Sequence, residues 1–407
     1  MQPINLGNVR GAKGDTGANG WSPIFAVETD GSRKVLKVVD WQGGNGTKPA
    51  IGIYMATTGY TYFAADATDI RGAAGINGAV TIAAMSSRLS PFGDLRCFST
   101  AGGQPTWFFG IPKMTYEQLR PDGLLGTGTH EAFIEAGVEK STLWIAAFPA
   151  SMVGSEIVSQ PGAMPRNSRT LDEEIAECAA TQIIGYEGKH RLTSIWDWSL
   201  LMHLSIVSGY QPLGNTNYGK SHVKAWVAGQ GTAATAAGSM GKESAHNNSN
   251  AGIFDLVGNV WERLQKFELQ DGQIMLAPDN GSALAPTGYW FNGSSAATNG
   301  TPSIVNTDVG LVRNGAIGDN NGAFYDSIGF ASLPGAGSVA LKRAGIIPVS
   351  AASAPPGYLY VRNYGRRAPL RGGHWYSGSL AGLSALSLHN SPANRSSIIG
   401  FRPAFVS

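Results

Sequence analysis

Glycine is the feature that most constrains this fold, because glycine loses more conformational freedom on folding than any other residue. The sequence holds 55 glycines among 407 residues, whereas an average protein contains about 7% glycine. Charged residues supply only 14% of the chain, against about 25% in ordinary soluble domains. This composition predicts a loop-rich protein that works outside a cell or within a larger assembly, and it differs from that of an ordinary metabolic enzyme.

The charge balance and the apolar runs exclude several classes of protein. The formal charge is only +2, which provides no general electrostatic attraction to nucleic acid or anionic membranes. No apolar run reaches the length of about 18 residues typical of a membrane-spanning helix, and no signal-peptide pattern opens the sequence. We therefore expect a soluble protein, made in a host cytoplasm, with no nucleic-acid partner and no membrane insertion. Cys97 and Cys178 are the only cysteines, so one disulfide is possible but no disulfide framework exists.

The N-terminal part of the sequence contains two short glycine repeats. Residues 10–20 read RGAKGDTGANG and residues 71–79 read RGAAGINGA, with glycine at every third position as in collagen. Flexible linkers and short three-chain junctions explain them equally well. We assign residues 1–20 to an N-terminal segment with Gly-X-Y repeats, and residues 71–113 to a Gly-rich linker with irregular β-structure.

Residues 21–70 are predicted to form a small β module. The stretch SPIFAVETDGSRKVLKVVDW alternates apolar and polar residues around a TDGS turn. So small a module has a poor core of its own, and association with identical neighbours would supply one. The module resembles those near the N-termini of phage tail fibre proteins, and this resemblance implies virion attachment and assembly into a homotrimer.

Residues 114–407 have the pattern of an α+β domain. Thr170 and Glu173 form a capping box for a helix, and a second helix ends before Gly209. The residues predicted to share the inner face of the first helix are Leu171, Ile175, Cys178 and Ala179. Residues 130–154 predict two strands around a turn.

No familiar catalytic motif is present. The sequence contains no Gly-x-Ser-x-Gly, His-Glu-x-x-His or Cys-x-x-Cys motif and no phosphate loop. His130 and Glu131 have no second histidine at helical spacing, so we interpret them as surface residues. Oxygen ligands for Ca²⁺ occur in residues 318–327, at Asp319, Asn320, Asn321 and Asp326. Because the EF-hand spacing and its closing glutamate are missing, we interpret this stretch as a polar loop and predict no metal and no cofactor.

The most informative motif is NAGIFDLVGNVWERL at residues 250–264. Gly258 and Asn259 predict a tight turn that packs Trp261 into the core and leaves Glu262 and Arg263 at its edge. RGGHW follows at residues 371–375, and GFRPAF follows at residues 400–405.

These three landmarks resemble the formylglycine-generating-enzyme branch of the C-type-lectin fold. That family carries Gly-Leu-x-Asp-x-x-Gly-Asn-x-Trp-Glu-Trp, then Arg-Gly-Gly-x-Trp, then Gly-Phe-Arg, and the match spans roughly residues 115–407. Arg263 departs from the pattern, since the family has a second tryptophan there. The resemblance implies a C-type-lectin-fold receptor-binding domain over residues 114–407, behind the small N-terminal all-β tail-fibre module.

The enzymes of this family bind copper through cysteines that follow the Arg-Gly-Gly-x-Trp landmark. Here no cysteine follows Cys178, so we predict that the chain is not an enzyme. The resemblance then points to the non-enzymatic branch, the variable proteins of diversity-generating retroelements, which include phage tropism determinants. In those proteins fixed residues alternate with positions diversified through adenines. The resemblance implies that these positions derive mostly from Asn codons, which do not become Lys, Glu, Gln, Met or Trp. From Arg371 to Ser407 the sequence holds no Lys, Asp, Glu, Gln or Met, and its one Trp is a fixed residue.

The resemblance assigns two roles within this stretch. The implied receptor-binding positions, called the variable slots below, are His374, Tyr376, Ser377, Ser379, Leu380, Ser384, Ser387, His389, Asn390, Asn394, Arg395, Ser396, Ser397 and Ile398. We expect them to be exposed, with packing as the alternative, above all for Leu380, Ser384 and Ile398. The implied scaffold comprises Arg371, Trp375, Phe401 and Arg402. We expect Trp375 to lie in the core and Arg402 to need a buried acceptor.

These observations together predict a receptor-binding protein of a phage tail fibre or tail tip, located in the virion. Its expected partners are a bacterial surface receptor, either an outer-membrane protein or a surface glycan, and other tail proteins that bind its N-terminal region. Two alternatives remain at this point. One is a ligand-display protein outside a virion, encoded by a bacterium or prophage. The other is a formylglycine-generating-type oxidase, which the missing cysteines disfavour.

Overall fold

The structure is a computed structural model that divides into two compact units, residues 1–94 and 95–407. The described residues are 22–30, 33–43, 54–56, 61–62, 93–224, 233–292, 302–309, 321–325, 338–350 and 354–407. Both glycine repeats, and residues 318–320 and 326–327 of the polar loop, lie outside the described residues.

The first unit contains one four-stranded antiparallel sheet, in the order β1-β2-β3-β4. Its strands are β1 (Ser22–Asp30), β2 (Arg33–Gln42), β3 (Tyr54–Ala56) and β4 (Thr61–Tyr62). Strands β1 and β2 pair with Asp30 opposite Arg33, and Gly31 and Ser32 of the TDGS sequence lie outside the described residues. A register shift between Ile24 and Phe25 interrupts the hairpin.

Short strands dominate the second unit, and helices are few. Its strands are β5 (Asp94–Ser99), β6 (Pro105–Pro112), β7 (Ile134–Glu135), β8 (Val138–Glu139), β9 (Thr142–Ala146), β10 (Ala150–Val153), β11 (Glu156–Ser159), β12 (Arg191–Leu192), β13 (Trp261–Arg263), β14 (Phe267–Gln270), β15 (Gln273–Leu276), β16 (Ala285–Asn292), β17 (Ser303–Asn306), β18 (Asn321–Phe324), β19 (Tyr358–Val361), β20 (Arg366–Arg367), β21 (Leu370–Gly372), β22 (Gly382–Leu388), β23 (Ile399–Phe401) and β24 (Pro403–Val406). Its α-helices are α1 (Tyr116–Leu119), α2 (Leu171–Ala180), α3 (Ile195–Ser208) and α4 (Ser338–Arg343). The predicted α+β class is thus confirmed in coarse form.

Three sheets organise this unit. One has the order β12-β24-β9-β6-β5, the second β18-β19-β22-β21-β13-β23, and the third β17-β16-β15-β14-β20. The six-stranded sheet is mixed, because β19 pairs with β22, and β13 with β23, in parallel. This sheet contains parts of all three sequence landmarks, since β13 starts at Trp261, β21 contains Arg371 and β23 contains Gly400 and Phe401.

The linker assignment is wrong for its last part. Residues 94–112 contain two regular strands, β5 and β6, and β6 is buried from Thr106 to Ile111. Strand β6 pairs with β9 over five residues, from Phe108 opposite Ala146 to Pro112 opposite Thr142. These strands belong to a central sheet of the second unit, because their apolar residues need the cover that β9 and its neighbours provide.

Helix α3 lies at the centre of the second unit. It is capped by Ser194, whose side chain accepts from Asp197 N, and it stops at Gly209, which has φ = 65°. Every residue from Ile195 to Ser205 is buried. The indole of Trp198 donates to Leu383 O of β22 at 2.8 Å. Helix α3 therefore supports the six-stranded sheet from inside.

Helix α2 begins as predicted but turns a different face inward. The capping box forms, since Thr170 Oγ1 accepts from Glu173 N at 3.2 Å. The helix buries Leu171, Glu174 and Cys178, whereas Ile175 is 36% exposed and Ala179 is also exposed. The predicted inner face is wrong at those two positions, because the carboxylate of Glu174 turns inward toward the fully buried Arg263, 3.4 Å away.

Most of the histidines are buried in the core. His130 is completely buried and its Nδ1 accepts from Ala132 N, so its interpretation as a surface residue is wrong. Burial lowers the pKa of several others: to about 4 for His190, His203 and His374, and to about 3 for His246. These rings are neutral at pH 7.

We expect this histidine burial to make the protein acid-labile. Unfolded histidine has a pKa of about 6.5, so the unfolded chain binds more protons than the folded chain as the pH falls from about 6.5 toward 4. Stability is then lost across that window. Buried carboxyls such as Asp255, whose pKa burial raises to about 6, offset part of the loss. The melting temperature, measured by circular dichroism, should fall steadily between pH 6.5 and 4.

The variant His203→Gln provides the control. His203 Nε2 lies 3.1 Å from Arg343 O, and a glutamine amide can donate to the same carbonyl without titrating. Its melting temperature should decline less steeply with acid than that of the parent protein. A parent melting temperature that stays constant down to pH 4 would contradict the argument.

Candidate functional site

The C-terminal landmarks build a rigid frame around one buried arginine. Arg402 is completely buried, and Nε and Nη2 bind the two oxygens of Glu262 at 2.9 and 2.5 Å. Its remaining donors reach Ala146 O and Phe254 O, both at 2.7 Å. The expected buried acceptor is confirmed. The prediction that Glu262 lies at the edge is wrong, because this ion pair holds it inside, where burial raises the pKa of its carboxyl.

A second arginine anchors the loop at residues 389–398, which joins β22 to β23. Arg263 was expected at the edge but is fully buried. Its guanidinium donates to Arg169 O and Asn394 O, both at 2.8 Å. Backbone bonds add to this clamp, from Leu171 N to Pro392 O and from Ser168 N to Ser396 O. A tryptophan has a single N–H donor and could not make both donations, so Arg263 fixes the path of the loop.

Arg371 and Gly372 fix the start of the C-terminal segment, at the RGGHW landmark. Arg371 donates to Ser384 O at 3.0 Å and to Gly345 O at 2.7 Å. Gly372 has φ = 88°, and a Cβ there would lie 2.4 Å from Leu256 O. Glycine is therefore required where the chain crosses the Gly258-Asn259 turn.

The Gly258-Asn259 turn also joins two distant segments. Asn259 O accepts from Trp375 N at 3.1 Å, and Asn259 N donates to Asn215 O at 2.6 Å. Trp375 O in turn accepts from Tyr218 N at 2.7 Å. The loop at residues 215–220 is thus bound directly against the RGGHW landmark. Trp375 is only half-buried, so the expectation that it is a core residue is wrong.

The variable slots differ in their exposure. Those that are exposed are Tyr376, Ser379, Arg395 and Ser397. Those that are half-buried are Ser377, Leu380, His389, Asn390, Asn394, Ser396 and Ile398. Those that are buried are His374, Ser384 and Ser387. The structure therefore brings most of them to one end of the six-stranded sheet and to the loop that leaves it.

The expected exposure is wrong at the three buried slots, for different reasons. Ser384 turns inward and donates to Pro356 O at 2.9 Å. Ser387 lies in the sheet between Tyr360 of β19 and Leu370 of β21. The ring of His374 lies 3.8 Å from that of Tyr376 and is 9% exposed.

Aromatic rings form a continuous line across this end of the sheet, here called the aromatic row. In order its members are Phe324, Tyr358, Tyr360, Trp261, His374, Tyr376 and Tyr218, with successive ring centroids 5.3, 4.7, 6.4, 6.0, 3.8 and 6.2 Å apart. Only His374 and Tyr376 were among the variable slots. Tyr218 belongs to a glycine-rich loop, and alternation of Tyr358 and Tyr360 in YLYV was the only sequence signal for the others.

The side chains of this region offer aromatic and hydrogen-bonding groups. The row offers aromatic faces and edges, and the neighbouring slots offer hydroxyl and amide groups. Arg395, the one charged slot, pairs with Glu173 at 2.7 Å. Within the part of the chain that the structure describes, no group of three or more His, Cys, Asp or Glu residues is arranged to hold a metal ion. No helix there is both long and apolar enough to cross a membrane.

Comparisons with known proteins give a weak structural similarity. No family model matches the sequence, and no curated protein matches it. Among solved structures the chain is similar to variable protein 1 of Treponema denticola, with a TM-score of 0.31 and 13% sequence identity. That match covers 77% of this chain and 99% of the other.

Proposed function

We propose that this chain is a recognition protein with a C-type-lectin-fold domain, whose C-terminal face binds a receptor on a bacterial surface. The observation that carries the proposal is a separation of roles within one segment. Buried arginines bind its backbone carbonyls, as Arg263 binds Asn394 O and Arg371 binds Ser384 O. Side chains such as Tyr376 and Ser397 meanwhile point to solvent. Such a frame tolerates replacement of the exposed groups, and tyrosine, serine and asparagine are the residues that binding loops favour.

The narrower proposal is that the chain is displayed in a virion, on a phage tail fibre. Its support is the N-terminal sequence, with Gly-X-Y repeats and a β module resembling those of tail fibres. In this setting the N-terminal region binds other tail proteins. The three ordered landmarks support the lectin-type fold in the same way.

A non-catalytic role is part of the proposal. No cysteine follows Cys178, and Cys178 itself is buried, which raises the pKa of its thiol well above the ordinary value. A protonated, enclosed thiol is a poor nucleophile and a poor copper ligand.

The direct test is adsorption. Fluorescently labelled full-length protein is mixed with a panel of Gram-negative and Gram-positive strains and sedimented with the cells. We expect strong adsorption to a few strains and none to the rest. Absence of adsorption to every strain would contradict the proposed function.

The homotrimer is a separate prediction. The small β module gains a sufficient core by associating with two copies of itself, and three linked sites raise avidity without new contacts. Light scattering at micromolar concentration should give three times the chain mass of 42.6 kDa. A truncated chain that begins at Leu95 should give the monomer mass. A monomeric full-length chain would contradict this prediction.

A further inference from the structure

The geometry of the aromatic row suggests the chemical class of the receptor. The row runs across strands: Phe324 of β18 lies directly opposite Tyr358 of β19, and neighbouring strands are about 4.8 Å apart. Tyr358 and Tyr360 alternate along one face of β19. The row is therefore a succession of neighbouring rings, with centroids 3.8 to 6.4 Å apart, that begins on the sheet and continues through His374, Tyr376 and Tyr218 in the adjoining loops.

The exposed rings lie at both ends of this line. Phe324 is 44% exposed at one end, while Tyr376 and Tyr218 are 45% and 51% exposed at the other. Tyr358 and Tyr360 between them are half-buried, whereas Trp261 and His374 are buried, at 6% and 9% exposure. Tyr360 packs over Leu370, Ala385 and Trp261, so it lies against the sheet. A ligand that contacts both exposed ends therefore has to extend past the two buried rings.

The absence of charged residues from the aromatic row limits the classes of ligand that it can bind. No member of the row is an acid, lysine or arginine, and Arg395 among the variable slots is already paired with Glu173. Single-stranded nucleic acid requires a positively charged groove beside its stacking rings. The strongest contacts in protein interfaces cluster at a desolvated centre and are rich in arginine as well as aromatics. The aromatic row contains no charged residue, and its most exposed rings lie at its ends. It therefore matches neither a groove for single-stranded nucleic acid nor the centre of a protein interface.

We propose that the aromatic row binds an extended chain of neutral sugar rings, as in a bacterial surface polysaccharide. The apolar C–H face of a sugar ring packs on an aromatic face, and its hydroxyls pair with tyrosine, serine and asparagine groups beside the row. A linear chain of sugars can then contact the exposed and half-buried rings on either side of the buried pair Trp261 and His374, which are Phe324, Tyr358 and Tyr360 on one side and Tyr376 and Tyr218 on the other. This inference rests on the proposed function and specifies the receptor of the same face.

The test begins with cells of a strain that adsorbs the full-length protein. One sample is oxidised with periodate, which cleaves the vicinal diols of sugars, and another is digested with proteinase K. We expect periodate to abolish adsorption and the protease to leave it intact. Loss with the protease alone would overturn the glycan inference while leaving the proposed function in place, whereas absence of adsorption to untreated strains would overturn the proposed function itself.

A second experiment measures the affinity of the protein for isolated polysaccharide. It also resolves the case in which periodate and protease both abolish adsorption. Polysaccharide purified from the adsorbing strain is titrated into the protein by calorimetry. Phe324→Leu keeps an apolar side chain but removes the ring, so it should weaken binding about fivefold. Ile184→Leu, which changes a side chain 58% exposed beside another sheet, should have no effect. No binding of the polysaccharide, or equal binding by the Phe324→Leu variant, would overturn the inference.

Discussion

Replacing Arg402 with methionine should lower the free energy of unfolding by about 3–5 kcal/mol, the loss usually found when one partner of a buried ion pair is removed. The substitution leaves Glu262 charged and only 1% exposed. It also leaves Ala146 O and Phe254 O without the donors that bind them at 2.7 Å. Urea denaturation followed by tryptophan fluorescence measures the change.

The matched control is Arg395→Met. Arg395 also pairs with a glutamate, but the side chains of Arg395 and Glu173 are 50% and 34% exposed. Exposed pairs contribute about 0–1 kcal/mol, so this variant should denature almost as the parent does. If both variants lose stability equally, Arg402 is not the centre of the frame.

Local sequence signals predicted local structure well. The capping box at Thr170 and the terminal Gly209 of α3 are confirmed because each depends on residues within one turn of helix. The need of Arg402 for a buried acceptor followed from the cost of burying a guanidinium alone. Its partner, Glu262, belongs to another landmark, and only the sheet brings them together.

The incorrect predictions concern side chains whose position depends on residues distant in the chain. Serine is usually exposed, yet Ser387 is buried because the parallel pairing of β22 with β19 places it beside Tyr360. Glu174 turns inward because Arg263, far along the chain, is there to meet it. Tyr218 joins the site through a backbone bond to Trp375 that no spacing in the sequence indicates.

The second large effect is expected at the exposed end of the aromatic row. The rings of Tyr218 and Tyr376 stack with centroids 6.2 Å apart and are 51% and 45% exposed. Removing an aromatic anchor from an interface can cost about 2 kcal/mol or more, roughly thirtyfold in affinity. The double variant Tyr218→Ala/Tyr376→Ala should therefore lose most of its adsorption. Exposed substitutions usually change stability by no more than about 0.5 kcal/mol, so its folding should be nearly unchanged.

The two single variants, Tyr218→Ala and Tyr376→Ala, and a control double variant outside the row are measured in the same way. Because the two rings touch, their separate losses should not add. Val138→Ala/Ile184→Ala removes two side chains that are 57% and 58% exposed outside the row, and it should adsorb like the parent.

The most direct measurement is the affinity of the Tyr218→Ala/Tyr376→Ala variant for adsorbing cells, taken together with its melting temperature. We predict at least about a thirtyfold loss of affinity with an almost unchanged melting temperature, because the frame built on Arg402, Arg371 and Arg263 does not depend on either ring. Adsorption equal to that of the parent protein would contradict the assignment of this face, and so would a loss of adsorption that merely follows unfolding.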